Sequence, residues 1–327
     1  MSSSHPYVLS IIIPVYGVEN YIEACIASLL PQLGAEVECI VVNDGCKDRS
    51  MEVLQAYLDN HPYDAHIRIL NQENQGLSMA RNNGYKIAQG SYIAFLDSDD
   101  YVEPNFVARI LQAIEQEPGI DLIHFNAHME TRLQKIKPLI LVDKTSLVKA
   151  DSQYLQHIFH KNKWYAWLRV YKTEILLDFQ FPKGYLYEDM LSIPFLYREG
   201  MTILEIAEPL LTYRYRPTSI TNCQINMKQL NSLEYGVQLY RQQRDLAHFQ
   251  EVYLHLILGL FESYLKLGFK AYAAFIQRIL NDLPYLYDKL QELHWKKRLM
   301  LHCPKLFYWW KNWLGLSVSQ RFVAPFS

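Results

Sequence analysis

Ser91–Asp100 reads SYIAFLDSDD. The apolar run Tyr92–Leu96 stops abruptly at Asp97-Ser98-Asp99-Asp100. A short apolar run rich in aromatic and β-branched residues fits a buried strand. Its polar ending then marks the carboxyl end of that strand. The same pattern recurs upstream. Val8–Pro14 (VLSIIIP), Val37–Asn43 (VECIVVN) and Ile67–Leu70 read as strands. Between them Asn20–Leu33, Asp48–Leu58 and Gly76–Ala88 carry apolar residues at helical spacing, with Asp48 placed as an N-cap. Downstream, Pro104–Glu115 predicts a helix and Ile120–Asn126 another strand. Alternation of this kind predicts βαβ units and a mostly parallel sheet, an α/β fold. Polar clusters follow three strands: Tyr16 to Asn20, Asn43-Asp44-Gly45, and the Asp97–Asp100 run. Ligands of open α/β sheets bind beyond the carboxyl ends of the strands, so these clusters are expected to converge on one crevice.

Carboxylates at alternate positions of an extended turn can project to one side. Such hard oxygen donors suit Mg2+ or Mn2+, which keep waters and share ligands with substrate phosphate. The competing reading is electrostatic: acids ahead of Pro104 complement the dipole of the following helix. The first strand-to-helix turn, Pro14-Val15-Tyr16-Gly17-Val18-Glu19, is neither a G-x-G-x-x-G nor a P-loop. A nucleotide here would be held by Tyr stacking, carboxylate hydrogen bonds and a metal on its phosphates.

These motifs resemble glycosyltransferase family 2, with its nucleotide-sugar-binding GT-A fold. The resemblance rests on Ser10–Leu30, Val41–Ser50 (VVNDGCKDRS), Asn74–Asp100 and Pro104 in order, with weaker echoes at Trp167–Leu176, Phe181–Met190 and Tyr213–Thr221. It implies a Rossmann-like, mostly parallel sheet, and the composition beyond it adds a C-terminal helical extension. It implies that Pro14, Val15, Tyr16 and Glu19 line the nucleotide-sugar, with Tyr16 stacked on the base. Asp44 would accept a hydrogen bond from that base, most simply uracil. Asn74, Gly76 and Arg81 would line the nucleotide, Asp97 and Ser98 the ribose and diphosphate, and Asp99 would ligate the divalent metal. Glu188-Asp189 matches the family's E-D pair, in which the Asp is the general base.

That assignment agrees with the chemistry. An inverting transfer needs one base to deprotonate the acceptor hydroxyl as it attacks the anomeric carbon. The departing diphosphate needs its charge offset, and Arg214 and Arg216 are candidates on a closing loop. An ordinary acidic helix start is the alternative for Glu188-Asp189. Two motifs depart from the family pattern: Asn43 and Cys46 stand where D-D-G-S is common, and Arg169 replaces a Lys in W-L-R-V-Y. Arg keeps the charge but changes the geometry, which bears on a local acceptor or phosphate contact.

The resemblance predicts a nucleotide-sugar-binding half at residues 1–126 and an acceptor and catalytic-base half at 127–221, and the apolar spacing beyond predicts a helical region at 222–327 with a basic, Trp-rich tail. Expected elements include a helix over Asp189–Arg198, short strands near Ile203 and Leu211, and helices over Met227–Ala247, Gln250–Leu267 and Lys270–Leu293. His157 and His160 could share a helix face, but without a third ligand a packed or solvated pair is favoured. Tyr185-Leu186-Tyr187 and Tyr213-Arg214-Tyr215 read either as sugar-stacking platforms or as packing.

The 327 residues carry a net charge of −2, and that average hides two unlike parts. From His294 to Ser327 there are six basic residues, no acid and four Trp, giving +6 against −8 for the remainder. Basic residues interleaved with Trp suit the interface of an anionic membrane; a helix packed on the main domain is the alternative. No nucleic-acid motif accompanies the patch. Five scattered cysteines without a C-x-x-C pair, and a short polar start, predict a reduced, cytoplasmic protein without a transmembrane helix. The expected partners are a nucleotide-diphospho-sugar, most simply a UDP-sugar, and a glycan acceptor, plausibly lipid-linked, in bacterial surface-polysaccharide synthesis. A non-catalytic nucleotide-sugar-binding scaffold is the competing class, motivated by Asn43, Cys46 and Arg169. A sugar-phosphate nucleotidyltransferase would want the Gly-rich loop that the first turn lacks.

Overall fold

The computed structural model describes residues 5–61, 66–216 and 226–267. Four strands, β1 (Tyr7–Val15), β2 (Val37–Asn43), β3 (His66–Asn71) and β4 (Gly90–Phe95), form a parallel block in the order β3-β2-β1-β4. Helices α1 (Ile22–Leu29), α2 (Ser50–Asn60) and α3 (Leu77–Lys86) connect them. β1 is buried almost throughout, with Leu9, Ile11, Ile12, Ile13 and Val15 in the core, as a strand covered on both faces must be. α3 comes close to this block. A Cβ on Gly84 would sit 2.5 Å from Cγ2 of Ile12 and 3.0 Å from Cγ2 of Val42.

Past β4 the pairing becomes mixed. β5 (Tyr101–Val102) and α4 (Phe106–Gln116) lead into β6 (Leu122–Glu130), followed by β7 (Ile136–Leu139), β8 (Ser146–Lys149) and α5 (Ser152–Lys161). β9 (Arg169–Lys172) runs antiparallel between β4 and β6, and β10 (Thr202–Tyr213) pairs parallel with β6. The final described helices are α6 (Met227–Arg241) and α7 (Ala247–Leu267).

The described chain divides into two compact units. The first holds residues up to Asp151, Trp164–Gly184 and Glu188 to Arg216, and so contains the whole sheet. The second holds α5, Tyr185–Tyr187, α6 and α7. Within it α7 packs against both α5 and α6, with Phe159 edge-on to Phe249 at 5.2 Å. A capping box between Asn226 and Gln229 starts α6.

Several boundaries differ from expectation for identifiable reasons. α2 starts at Ser50, not Asp48; the Asp48 carboxylate instead accepts from the Ser50 amide (3.2 Å) and hydroxyl (2.7 Å). The helix expected over Asp189–Arg198 is a turn followed by one 3-10 turn, Ile193–Leu196. Pro194 has no N–H to donate to residue 190, so an α-helix cannot be carried through it. The segments near Ile203 and Leu211 are one strand, β10, whose register shifts around Pro209. The helix expected over Met227–Ala247 breaks at Gln242, and α7 begins at Ala247. The helix expected at Lys270–Leu293 and the basic, Trp-rich tail from His294 lie outside the described residues.

Candidate active site at the carboxyl ends of the parallel strands

Pro14 and Val15 close β1, and the chain leaves through Tyr16 and Gly17, the latter at φ +66°. Tyr16 is 47% exposed, so its side chain is accessible from solvent. The rest of this turn is laced to the loop after β2. Glu19 accepts from the Arg49 amide at 3.0 Å, and its own amide donates to Asp48 at 3.1 Å. The Val18 amide donates to the Ser50 hydroxyl at 2.8 Å.

Asp44, at the end of β2, is only 3% exposed. Its carboxylate accepts from the Gln72 side chain (2.7 Å), the Gln75 amide (2.8 Å), the Gly76 amide (2.9 Å) and the Asn74 side chain (3.2 Å). Four donors fill the lone-pair sites of one carboxylate. Asp44 therefore orders the 72–76 loop that leads into α3. Gly76 sits at φ +89°, a conformation that favours glycine. Asn43 bonds Asn71 at 2.9 Å and accepts from the Cys46 amide at 3.0 Å. The amide at this departure from the family pattern thus supplies both a donor and an acceptor to the loop. Cys46 is a packing residue whose thiol is pushed up by burial and whose Sγ lies 3.3 Å from the Val15 carbonyl.

After β4 the chain turns tightly, with the Asp100 amide donating to the Asp97 carbonyl at 3.0 Å. Ser98 is buried. Three arginines grip this turn. Arg81, 1% exposed, donates to Asp97 at 2.7 Å and to Glu188 at 2.5 Å, and its guanidinium lies 5.3 Å from the Phe181 ring centre. Burial alone would lower its pKa, but Asp97 and Glu188 outweigh that and hold it above the ordinary value. Arg214 donates from its amide to Asp100 at 2.8 Å and from its side chain to the carbonyls of Asp99 and Tyr21. Arg216 reaches the Asp99 carboxylate at 3.0 Å and the Gly17 carbonyl at 3.1 Å. Arg214 therefore braces the turn's backbone, while Arg216 neutralises the partly exposed Asp99 carboxylate.

The aspartates differ accordingly. Burial pushes the Asp100 carboxyl well up, with Asp99 and Asp97 adding to the effect. Asp99 is raised by burial and by Asp97, and Arg216 opposes the rise. Among the described residues no three His, Cys, Asp or Glu side chains converge as a closed metal site. Asp99 offers a hard carboxylate oxygen to a divalent ion, whose other ligands would be diphosphate oxygens and water.

Glu188 and Asp189 complete the site through Arg81. Glu188 is buried on that guanidinium, and Asp189 accepts from the Met190 amide at 2.8 Å. Burial pushes the Asp189 carboxyl up to about 7; Glu188 adds to the rise and Arg81 opposes it. Nearby, Tyr165, Trp167 and Tyr213 stack, with ring centres 5.0 Å apart for Tyr165–Trp167 and 5.6 Å for Trp167–Tyr213. The Tyr165 hydroxyl is raised by burial and by Asp189.

Sequence reasoning placed Arg81 on the nucleotide; the structure puts it between two carboxylates 91 residues apart in the chain. It also missed a buried network behind the site. Arg169 bonds the Tyr197 hydroxyl at 2.6 Å and the Tyr165 carbonyl at 3.0 Å, and the same hydroxyl meets His124 Nε2 at 2.7 Å. Burial and Arg169 hold His124 well below its usual range, so it is neutral. Arg169 lies in the core, supporting Tyr165. Of the two candidate aromatic platforms, Tyr213 stacks within the first unit, while Tyr185 stacks on Tyr235 at 4.1 Å in the second. His160 lies 3.6 Å from Glu251, and neither it nor His157 joins a metal cluster among the described residues.

Residues 10–171 match the family described as Glycosyl transferase family 2. The chain is 35% identical over 222 residues to the uncharacterized glycosyltransferase EpsJ of Bacillus subtilis, covering 65% of this chain and 62% of EpsJ. It therefore spans less than two thirds of that relative. The fold is similar to that of S. aureus TarS 1-349 in complex with UDP-GlcNAc, with TM-score 0.59 at 17% identity over 95% of this chain and 89% of the other. It is also similar to the mannosyltransferase PcManGT of Pyrobaculum calidifontis in complex with GDP-Man and Mn2+, with TM-score 0.53 at 15% identity over 96% and 89%. At that identity the two likenesses concern the α/β architecture, which is GT-A.

Proposed function

Residues 10–171 are a glycosyl transferase family 2 domain, and from that premise we propose that the chain is an inverting, metal-dependent glycosyltransferase of bacterial polysaccharide synthesis. Its donor is a nucleotide-diphospho-sugar, most simply a UDP-sugar, and its acceptor a glycan carried on a lipid. The observation that carries the reading is the Arg81 bridge. One buried guanidinium ties Asp97, at the end of β4, to Glu188, beside an Asp189 whose pKa is raised to about 7. Two carboxylates with separate tasks are thereby held in one rigid frame.

In this reading Tyr16 stacks on the base, and the Asp44 loop with Asn74 and Gly76 forms the floor under it. Asp97 and Ser98 face the ribose and diphosphate. Asp99 would hold Mn2+ or Mg2+, which supplies charge neutralisation to the diphosphate when bound. Asp189 takes the proton of the acceptor hydroxyl as its oxygen bonds to the anomeric carbon. The bond from that carbon to the nucleoside diphosphate breaks, and the electron pair leaves with the diphosphate. A carboxylate of pKa near 7 is matched to this task, because it is ionised enough to act and basic enough to accept. Arg216, beside Asp99, can offset charge on the leaving group.

The basic tail from His294 supports peripheral contact with the inner face of an anionic membrane. Among the described residues no helix is long and apolar enough to cross a membrane. Calorimetry with UDP-, GDP- and TDP-sugars, with and without Mn2+, tests the donor assignment. The reading expects Mn2+ to strengthen UDP-sugar binding and Asp99→Asn to abolish that gain. A gain of equal size in Asp99→Asn would remove Asp99 from the metal.

A further inference from the structure

Arg214 and Arg216 lie just past the end of β10 and reach the same turn, yet they hold it differently. Arg214 binds backbone: its side chain donates to the carbonyls of Asp99, Asp100 and Tyr21. None of those bonds competes for the Asp99 carboxylate. Arg216 binds that carboxylate itself. Its Nη1 lies 3.0 Å from Asp99 Oδ2, and its Nη2 donates to the Gly17 carbonyl at 3.1 Å. Both guanidiniums also face the Tyr21 ring, at 5.1 Å and 5.6 Å from its centre, so two like charges share one ring. The Gly17 turn has room beside it: a Cβ there would meet no atom within 4 Å.

The side chains of Arg216 and Asp99 are 24% and 25% exposed. A dry ion pair is hard to separate, and a fully exposed one is worth little. This pair is intermediate, strong enough to hold Asp99 and accessible enough to exchange partners.

Asp99 is also the carboxylate that the proposed function gives to a divalent ion, and the guanidinium standing on it shows that this oxygen takes positive charge. The two roles conflict. Arg216 at one oxygen of a small carboxylate repels a divalent cation at either oxygen, because like charges interact strongly at that range. A diphosphate removes the conflict. It is an anion with several oxygens, the kind of group a planar guanidinium binds with two parallel hydrogen bonds. Arg216 already bonds both the Gly17 turn and the Asp97–Asp100 turn, the two strand ends placed around the donor, so a side-chain movement suffices to change its partner. We propose that Arg216 couples the two ligands of this site: it holds Asp99 until a nucleoside diphosphate draws it away, so that divalent cation and diphosphate each strengthen the binding of the other. The inference rests on Asp99 as the metal ligand of the proposed function. By linkage the coupling is the same whichever of the two is added first.

Titration of the full chain with UDP, with and without Mn2+, measures that coupling as the ratio of the two affinities. Wild type should bind UDP more tightly in Mn2+. Arg216→Gln should shrink this gain by at least about fivefold. The same variant should bind Mn2+ alone more tightly than wild type does, read from loss of the free-ion paramagnetic resonance signal. Removal of a charge that stays in place would act otherwise, altering UDP affinity by the same factor with and without Mn2+. Arg216→Lys, which keeps the charge and loses the planar fork, is the second variant and should also shrink the gain. Wild-type melting temperatures would show that both variants fold. A gain that Asp99→Asn loses and both Arg216 variants keep in full would overturn the Arg216 assignment and leave the metal reading standing. No gain in wild type, or a full gain in Asp99→Asn, would overturn both.

Discussion

At Asp189 burial and Glu188 push the carboxyl toward neutrality, while Arg81 pulls it back. The balance near 7 has two consequences of opposite sign. Transfer should rise with pH through about 7, because the base works only when ionised. Folding stability should fall over the window from the unfolded value, about 4, up to about 7. In that window the folded chain keeps a proton that the unfolded chain has lost. Thermal melts of Asp189→Asn and wild type should therefore diverge between those two pH values, with the variant relatively more stable at the upper end. A constant difference across the window would mean that Asp189 titrates normally. The residue was legible in the sequence as half of an E-D pair. Its environment was not, because Arg81 lies 107 residues from Glu188 and nothing local announces that contact. Arg169 is a parallel case. Its place in the family pattern pointed to an acceptor or phosphate contact, and only tertiary packing against Trp164 and Tyr197 shows it as a core cation.

The elements were legible where burial writes a pattern. β1, β2 and β4 are nearly continuous apolar runs because both faces are covered. β7 and β8 are short, mostly exposed edge strands, and their composition carries no such signature. The Asp189 segment misled because acids before an apolar stretch resemble a helix start, and Pro194 decides otherwise. Gly84 shows an element held by what is missing. In a helix Ala is better than Gly by about 1 kcal/mol. Here the added methyl would meet β-branched side chains fixed on β1 and β2. Gly84→Ala should thus destabilise the fold by about 1–3 kcal/mol, read as a lower melting temperature. A higher melting temperature would show that α3 stands off the sheet.

Across the molecule the parallel block and the mixed sheet beyond it divide the labour. The block ends in turns that Asp44 and Glu19 knit together, which suits a preorganised nucleotide cradle. The mixed half supplies Glu188, Asp189 and the arginines after β10, which close on the Asp97–Asp100 turn from the other side. The strand-end clusters predicted this convergence in outline, because the rule for open α/β sheets depends only on topology. Which arginine serves which aspartate follows from the register of β10 and could not be read in advance.

The central claim is that donor holding and base catalysis reside in different carboxylates of one frame. It is tested most directly by comparing wild type and Asp189→Asn for UDP-sugar affinity in Mn2+ and for the rate of UDP release with acceptor glycan. The account predicts affinities that agree closely, with release slowed by about 10²–10⁴-fold in the variant. Equal release rates in the two proteins would contradict it.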